Sequence, residues 1–565
     1  MKRAGMNRRA LIKSAGTLAG VTAISGFLPE VAVASPKTEA SSNSKGPSAT
    51  VASDHQAVVE TSAGKVRGYI RNGIFTFKGM PYGESAAGKG RFMPPTKVKP
   101  WTGLRSSMHY GYLAPQPVRH SWGDDEFAFV YDWDDGLQGE DCLCINVWSP
   151  GVNENKKRPV MVWLHGGGFY FGSSQELPSL DGENLSRRGD VVVASINHRL
   201  GILGYLNLAE YGADYAGSGN VGMLDIVLAL EWVKENIGNF GGDPGNVTIF
   251  GQSGGGGKVN TIMAMPSAKG LFHRAITQSG SMLRARTPEK SAELTSAVLK
   301  ELGLNGSRVS ELNDIPFAKL VEVGVEVTRR PPSAPPDVRR MAETLGWGPV
   351  TDGKVLPQHP FDPEAPAIST QVQLMVGTVL NEFLTATGHP EYEAMTYEEV
   401  GKRVREVHGE QSEQIIQVFR KAHPSEKPFD ILSLIMAALV RQGAVTQAER
   451  KAAQGAAPAY LYWFTRKSPV LDGRVRALHC MELPFCFNNI ARCGNMTGGG
   501  AEAQKLADQV SDAWINFARK GNPNHSGLPN WPAFTAEKCP TMIFDAPCTV
   551  KDNPDTEERR AIPST

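Results

Sequence analysis

Two glycine-rich segments hold residues whose types and spacing could do chemistry. Asn246-Val247-Thr248-Ile249-Phe250 runs directly into Gly251-Gln252-Ser253-Gly254-Gly255, and a helical pattern follows from about Lys258. A serine in G-x-S-x-G at a strand-to-helix turn is presented on a strained backbone, and small neighbours let that turn close. The helix behind it aims its first N–H groups at a centre where negative charge will develop. His165-Gly166-Gly167-Gly168-Phe169 follows a second apolar run, Val160–Leu164. Three glycines let a backbone come close to a ligand and turn its N–H groups inward, as a tetrahedral oxyanion requires. Together the two segments predict acyl transfer with Ser253 as nucleophile.

The elements that must position these segments are legible as patterns. Val160–Leu164, Val191–Ile196, Val247–Phe250 and Leu374–Val376 are short, largely apolar runs, each followed by glycine or a polar turn. Strands buried on both faces read this way, which predicts an α/β fold with a mostly parallel central sheet flanked by helices. Val221 to Ile237 carries apolar residues at helical spacing. The Pro-rich stretch Pro331–Pro336 reads as a loop, because patterned sequence resumes on both sides.

Composition narrows the function classes. The chain has 565 residues, 41% hydrophobic and 21% charged, which excludes disordered and fibrous classes. Lys and Arg total 59 against 58 Asp and Glu, so there is no basic excess to make nucleic acid a main partner. Seven cysteines are too few for a disulfide scaffold, and none lies in a spacing that would hold zinc. The expectation is no metal and no organic cofactor.

More of the sequence joins these two motifs into one resemblance. Phe77-Lys78-Gly79-Met80-Pro81-Tyr82-Gly83, Arg91-Phe92, Trp101 and Glu140-Asp141-Cys142-Leu143 resemble signatures of the type-B carboxylesterases, the cholinesterase-like branch of the α/β-hydrolase superfamily. So do Asn197-His198-Arg199-Leu200-Gly201, Phe240–Pro244, Gln278-Ser279-Gly280-Ser281 and Gly521-Asn522-Pro523-Asn524, so the likeness runs from about Val58 to Ala546. It implies the α/β-hydrolase fold with large insertions and a triad in the chain order Ser253, Glu382, His479. It also implies oxyanion donors at Gly167, Gly168 and Gly254. Ser279 is then a candidate partner of the triad acid or an ordinary buried turn serine. Arg91 and Glu140 would form a structural ion pair. The activity implied is hydrolysis of a small-molecule carboxylic ester through an acyl-enzyme. The alternatives are a catalytically silent binding or adhesion protein, or a hydrolase of carbamates, amides or lactones. Oligomeric state is not legible.

The chain departs from the pattern at two places. Relatives often have Glu-Ser-Ala where this chain has Gln252-Ser253-Gly254, and the neutral Gln predicts no strong preference for a quaternary ammonium substrate. Cys142 is the first cysteine, so the bridge that relatives make to an upstream partner cannot form. Trp133 reads as a core residue, with a cation-binding role as the alternative. The acidic stretch Asp124 to Asp141 reads as a solvated face, with attraction of cationic substrates as the alternative.

The N-terminus reads as an address. Arg8-Arg9 in a basic region, an uncharged stretch from Ser14 to Pro29 and Ala32-Val33-Ala34 resemble a bacterial twin-arginine export signal over residues 1–34. The uncharged stretch is shorter than a membrane span needs. Residues 35–56 read as a flexible linker, residues 57–565 as one hydrolase domain, and no later segment as a membrane span. The expected location is periplasmic or secreted.

Overall fold

Each apolar run singled out above forms a strand whose alternate residues face opposite layers. In Arg158–Leu164, Val160, Val162 and Leu164 join one hydrophobic core while Met161 and Trp163 join another. The same split divides Leu374 and Val376 from Met375 and Val379 in Gln373–Val379. With a side-chain period of two, both faces of such strands are buried only if layers cover both sides of the sheet.

The computed structural model describes residues 50–118, 125–329 and 346–563. Residues 1–34, most of the segment 35–56 and the stretch Pro331–Pro336 lie outside them. The strands in chain order are β1 (Val58–Thr61), β2 (Gly64–Arg67), β3 (Tyr69–Arg71), β4 (Ile74–Pro81), β5 (Leu104–Ser106), β6 (Cys144–Ser149) and β7 (Arg158–Leu164). They continue with β8 (Val192–Ile196), β9 (Gly242–Gln252), β10 (Arg274–Gln278), β11 (Gln373–Val379), β12 (Ala459–Phe464), β13 (Pro540–Phe544) and β14 (Thr549–Asp552). Eleven of them form one sheet in the order β14-β13-β12-β11-β10-β9-β7-β8-β6-β4-β3. From β8 to β13 every neighbouring pair is parallel, and the antiparallel pairs lie towards the two edges. Strands β1, β2 and β5 make a separate small sheet.

Helices Val221–Asn236, Gly254–Ala264 and Pro428–Ala453 contribute to the core on one face, and Gly500–Lys520 to the other. The helix after Ser253 starts at Gly254, four residues before the sequence pattern suggests. Its all-glycine first turn has no side chains and therefore no periodicity to read. Helix Pro428–Ala453 is long and apolar enough to cross a membrane, which the residue reading does not anticipate. It is mostly buried against β11 and β12, with Arg441 and Lys451 both buried on it, the setting of a core helix. A third apolar cluster lies among Tyr397–His408, Ser412–Ala422 and the start of Pro428–Ala453, an insertion between β11 and β12.

Strand register positions the site. Leu164 pairs with Gly251, Gln252 with Gln278, and Gln278 with Gly377. The residues just past the C-terminal ends of β7, β9, β10 and β11 are therefore side by side, where open parallel sheets place their sites.

Candidate active site

Ser253 occupies the turn between β9 and helix Gly254–Ala264 with φ 57° and ψ −126°. The left-handed φ costs a non-glycine residue on the order of 1–3 kcal/mol, so surrounding contacts must hold it. One is its N–H, which donates to the Gln278 carbonyl at 2.8 Å. Ser279, Glu382 and Cys480 also have positive φ, at 44°, 49° and 75°. These residues lie on the turns after β10 and β11 and in the loop that carries His479.

The two glycine segments meet backbone to backbone. A Cβ placed on Gly254 would lie 2.1 Å from the Gly168 carbonyl oxygen and 2.4 Å from its nitrogen. One on Gly255 would lie 2.0 Å from the Leu164 oxygen. Gly167 and Gly168 take φ of 77° and 62°, and the Gly167 carbonyl accepts from the N–H groups of Tyr170 and Phe171 at 3.3 and 3.2 Å. The predicted oxyanion residues therefore share one small region beside Ser253. A Cβ on neighbouring Gly166 would be 3.6 Å from the serine Cβ.

The acid and the base come from the loops after β11 and β12. His479 Nδ1 lies 2.5 Å from Glu382 Oε2, and its backbone N–H donates to the Glu382 carbonyl at 2.7 Å. Glu382 is 1% exposed, and its Oε1 accepts from Ser279 Oγ at 2.7 Å and from the Val379 N–H at 3.1 Å. The carboxyl thus has three hydrogen-bond donors around it, from Ser279, Val379 and His479. With Glu382 accepting, the Nδ1 hydrogen points at the acid and Nε2 faces away from it. Of the two readings for Ser279, the structure has it bonding the acid.

Nε2 of His479 is met by Gln252 Nε2 at 3.1 Å, so the Gln amide donates to it. Among the described residues no hydrogen bond joins Ser253 Oγ to His479. The sequence expectation treats Gln252 only as a missing charge. The structure makes it the resting partner of the imidazole, held in turn by Cys480 Sγ, 3.1 Å from Gln252 Oε1. Phe383, 55% exposed, packs on His479 with ring centroids 4.0 Å apart. Its position directly after Glu382 is the only signal that could have drawn attention to it. Tyr131 donates to the His479 carbonyl at 2.8 Å and stacks on Trp133, so Trp133 buttresses the histidine loop through Tyr131. Glu482, three residues past His479, is buried and receives Gln278 Nε2 at 3.1 Å. Burial and the nearby Glu382 charge push its carboxyl up to about 8.

Other predicted features fall into place away from the reaction centre. Arg91 pairs with both oxygens of Glu140, at 2.5 and 2.6 Å, and also binds the carbonyls of Leu312, Asn313 and Ile315, tying the N-terminal loops to a distant segment. Glu126, in the acidic stretch, is clamped by Arg474. All seven cysteines are buried as thiols, and burial raises that of Cys144 to about 12. Among the described residues no three His, Cys, Asp or Glu side chains are grouped to hold a metal.

Comparison with known proteins identifies the family. Residues 55–562 match the Carboxylesterase family. The para-nitrobenzyl esterase of Bacillus subtilis is 34% identical over 520 residues, covering 90% of this chain and 98% of that protein. Phenmedipham hydrolase of Pseudarthrobacter oxydans is 31% identical, over 86% of this chain and 94% of that protein. Among solved structures, a Geobacillus stearothermophilus carboxylesterase superposes with a TM-score of 0.75 at 35% identity, covering 90% of this chain and all of that one. An esterase from Clostridium hathewayi, described as able to hydrolyse aliphatic aromatic polyesters, gives 0.77 at 36% identity, over 91% and 99% of the two chains.

Proposed function

The chain belongs to the carboxylesterase family and is a carboxylic ester hydrolase of α/β-hydrolase fold, and from that premise we propose how its residues divide the work. Ser253 attacks the ester carbonyl and passes its proton to His479 Nε2. Glu382 keeps the other imidazole nitrogen protonated and balances the charge that forms on the ring. The N–H groups of Gly167, Gly168 and Gly254 receive the oxyanion, where removing one donor typically costs about 10²–10³ in rate. The proton returns to the departing alcohol, and water then cleaves the acyl-enzyme by the same route. Because Gln252 occupies Nε2 at rest, its amide gives way to the serine hydroxyl when the nucleophile is engaged. Phe383 lies against the imidazole, where its π-face favours the cationic ring.

The observation that carries this reading is the Glu382–His479 bond beside the Ser253 turn, with the Gly168 backbone against Gly254. A fluorophosphonate should label Ser253 and block hydrolysis of a p-nitrophenyl ester. Persistent labelling in Ser253→Ala would refute it. The substrates are uncharged esters: Gln252 puts no negative charge beside the nucleophile, and exposed Phe383 provides an apolar rest for an acyl or alcohol group.

Export is part of the proposal. Arg8-Arg9, the uncharged stretch to Pro29 and Ala32-Val33-Ala34 support passage through a twin-arginine route. Seven buried thiols suit a chain that folds in a reducing compartment before transport. Replacing Arg8-Arg9 by a Lys pair should retain the protein in the cytoplasmic fraction of a bacterial host. Unchanged export would overturn this part alone.

A further inference from the structure

Lys258 breaks three local rules at once. It sits at the start of the second turn of helix Gly254–Ala264, near the positive end of the helix dipole, where a cation is disfavoured. Its side chain is 0% exposed, although lysine is almost never fully buried unless paired. Yet among the described residues no carboxylate lies within ion-pair distance of it. Its ammonium instead donates to the His165 carbonyl at 2.8 Å and the Gly166 carbonyl at 3.2 Å. These are the peptides that lead into the glycine cradle. Costs concentrated on one side chain are expected where function compensates them.

Peptide geometry shows what those two bonds accomplish. In a trans peptide the C=O and the following N–H point in opposite directions. An ammonium that holds the Gly166 oxygen therefore turns the Gly167 N–H away from itself. The bond to the His165 oxygen likewise fixes the Gly166 peptide plane. A second donor, His165 Nδ1, lies 3.1 Å from the same Gly166 oxygen. A positive charge on the carbonyl side of an amide also polarises it and makes its N–H a stronger donor. The neighbouring glycines permit the arrangement, since a side chain on Gly254 or Gly255 would strike the Leu164–Gly168 backbone.

We propose that Lys258 is a positioning residue for ester hydrolysis, its ammonium orienting and polarising the Gly167 amide that receives the oxyanion. This rests on the assignment of Gly167 as a donor made above. The ionisable groups that face Lys258 are Glu176, which favours its charge, and the stacked pair His165 and His198, of which His198 is held neutral by burial and by the lysine charge. The Phe169 ring lies 5.8 Å from its nitrogen. Burial lowers the Lys258 amine to about 7, so its charge is lost on the alkaline side of neutrality.

The test compares Lys258→Met with the unaltered protein on a p-nitrophenyl ester. The variant should lose about 10–10²-fold in kcat with KM moved far less, the signature of an interaction made in the transition state. A trifluoromethyl ketone, which forms a tetrahedral adduct, should lose affinity by a similar factor. In the unaltered protein kcat should step down to a lower plateau between about pH 6 and about pH 9, and the step should vanish in the variant. Thermal stability should fall only modestly, because the buried His165 carbonyl loses its donor while the cost of burying a charge is removed. A lysine with a purely structural role would show lost stability with kcat and adduct affinity unmoved. Wild-type kcat in Lys258→Met overturns the proposal, and so does a flat alkaline profile in the unaltered protein, which needs no variant to fold. Failure of Ser253 labelling would instead overturn the hydrolase assignment beneath it.

Discussion

The two sides of this site are built from different materials. On the His479 side, side chains carry most of the contacts: Glu382, Ser279, Gln252, Phe383 and Tyr131 each contact the imidazole, its acid or its loop. On the glycine side the working groups are backbone amides, and what matters is the absence of Cβ atoms at Gly167, Gly168, Gly254 and Gly255. A side-chain relay tolerates small shifts of backbone but no change of donor to acceptor. A backbone cradle tolerates no added volume, since its donors move with the chain itself. The first kind of site is tuned by chemistry and the second by packing.

The largest expected effect comes from breaking the relay without changing its shape. Glu382→Gln keeps the volume but presents an amide, which can donate to Nδ1 and drive the proton to Nε2. Wrong-tautomer imidazole should cost about 10³–10⁴ in kcat, with circular dichroism and Tm close to the unaltered protein. A loss under tenfold would mean that the acid is not what orients the histidine. The cradle is broken by volume instead. Gly254→Ala places a methyl about where the Gly168 peptide now lies. It should lower kcat by about 10–10² and destabilise by about 1–3 kcal/mol, as overpacking does. Gly257→Ala sharpens the contrast, because the nearest atoms its methyl meets are those of Met282 and Phe169, at an ordinary 3.5 Å. Relief of a helical glycine should there add roughly 0.5–1 kcal/mol, with kcat little altered. Equal behaviour of the two variants would show that the glycine run is a sequence habit rather than a cradle.

Legibility followed the same division. Ser253 and the His165–Gly168 motif stand out because their function is local: an apolar strand, then a turn that only small residues can make. Strands β7, β8, β9 and β11 were likewise visible as apolar runs of fitting length. Glu382 and His479 lie among many acids and twelve histidines, and their prominence came from resemblance rather than from any local rule. Gln252 could be seen as a neutral neighbour but not as the partner of His479, since 227 positions separate them. Lys258 was invisible as anything but the start of a helix, because a lysine in an amphipathic stretch reads as solvent-facing.

The amino-acid order by itself determined the strand pattern, the strained turn at Ser253 and the places where backbone could come unusually close to backbone. These depend on interactions within a few residues, which composition and spacing record directly. Only the tertiary structure decided that β7, β9, β10 and β11 end level with one another, that an amide rests on the base, and that a charged nitrogen lies buried behind the oxyanion cradle. Register and burial are collective outcomes of packing distant segments, and no window along the chain contains the atoms that settle them.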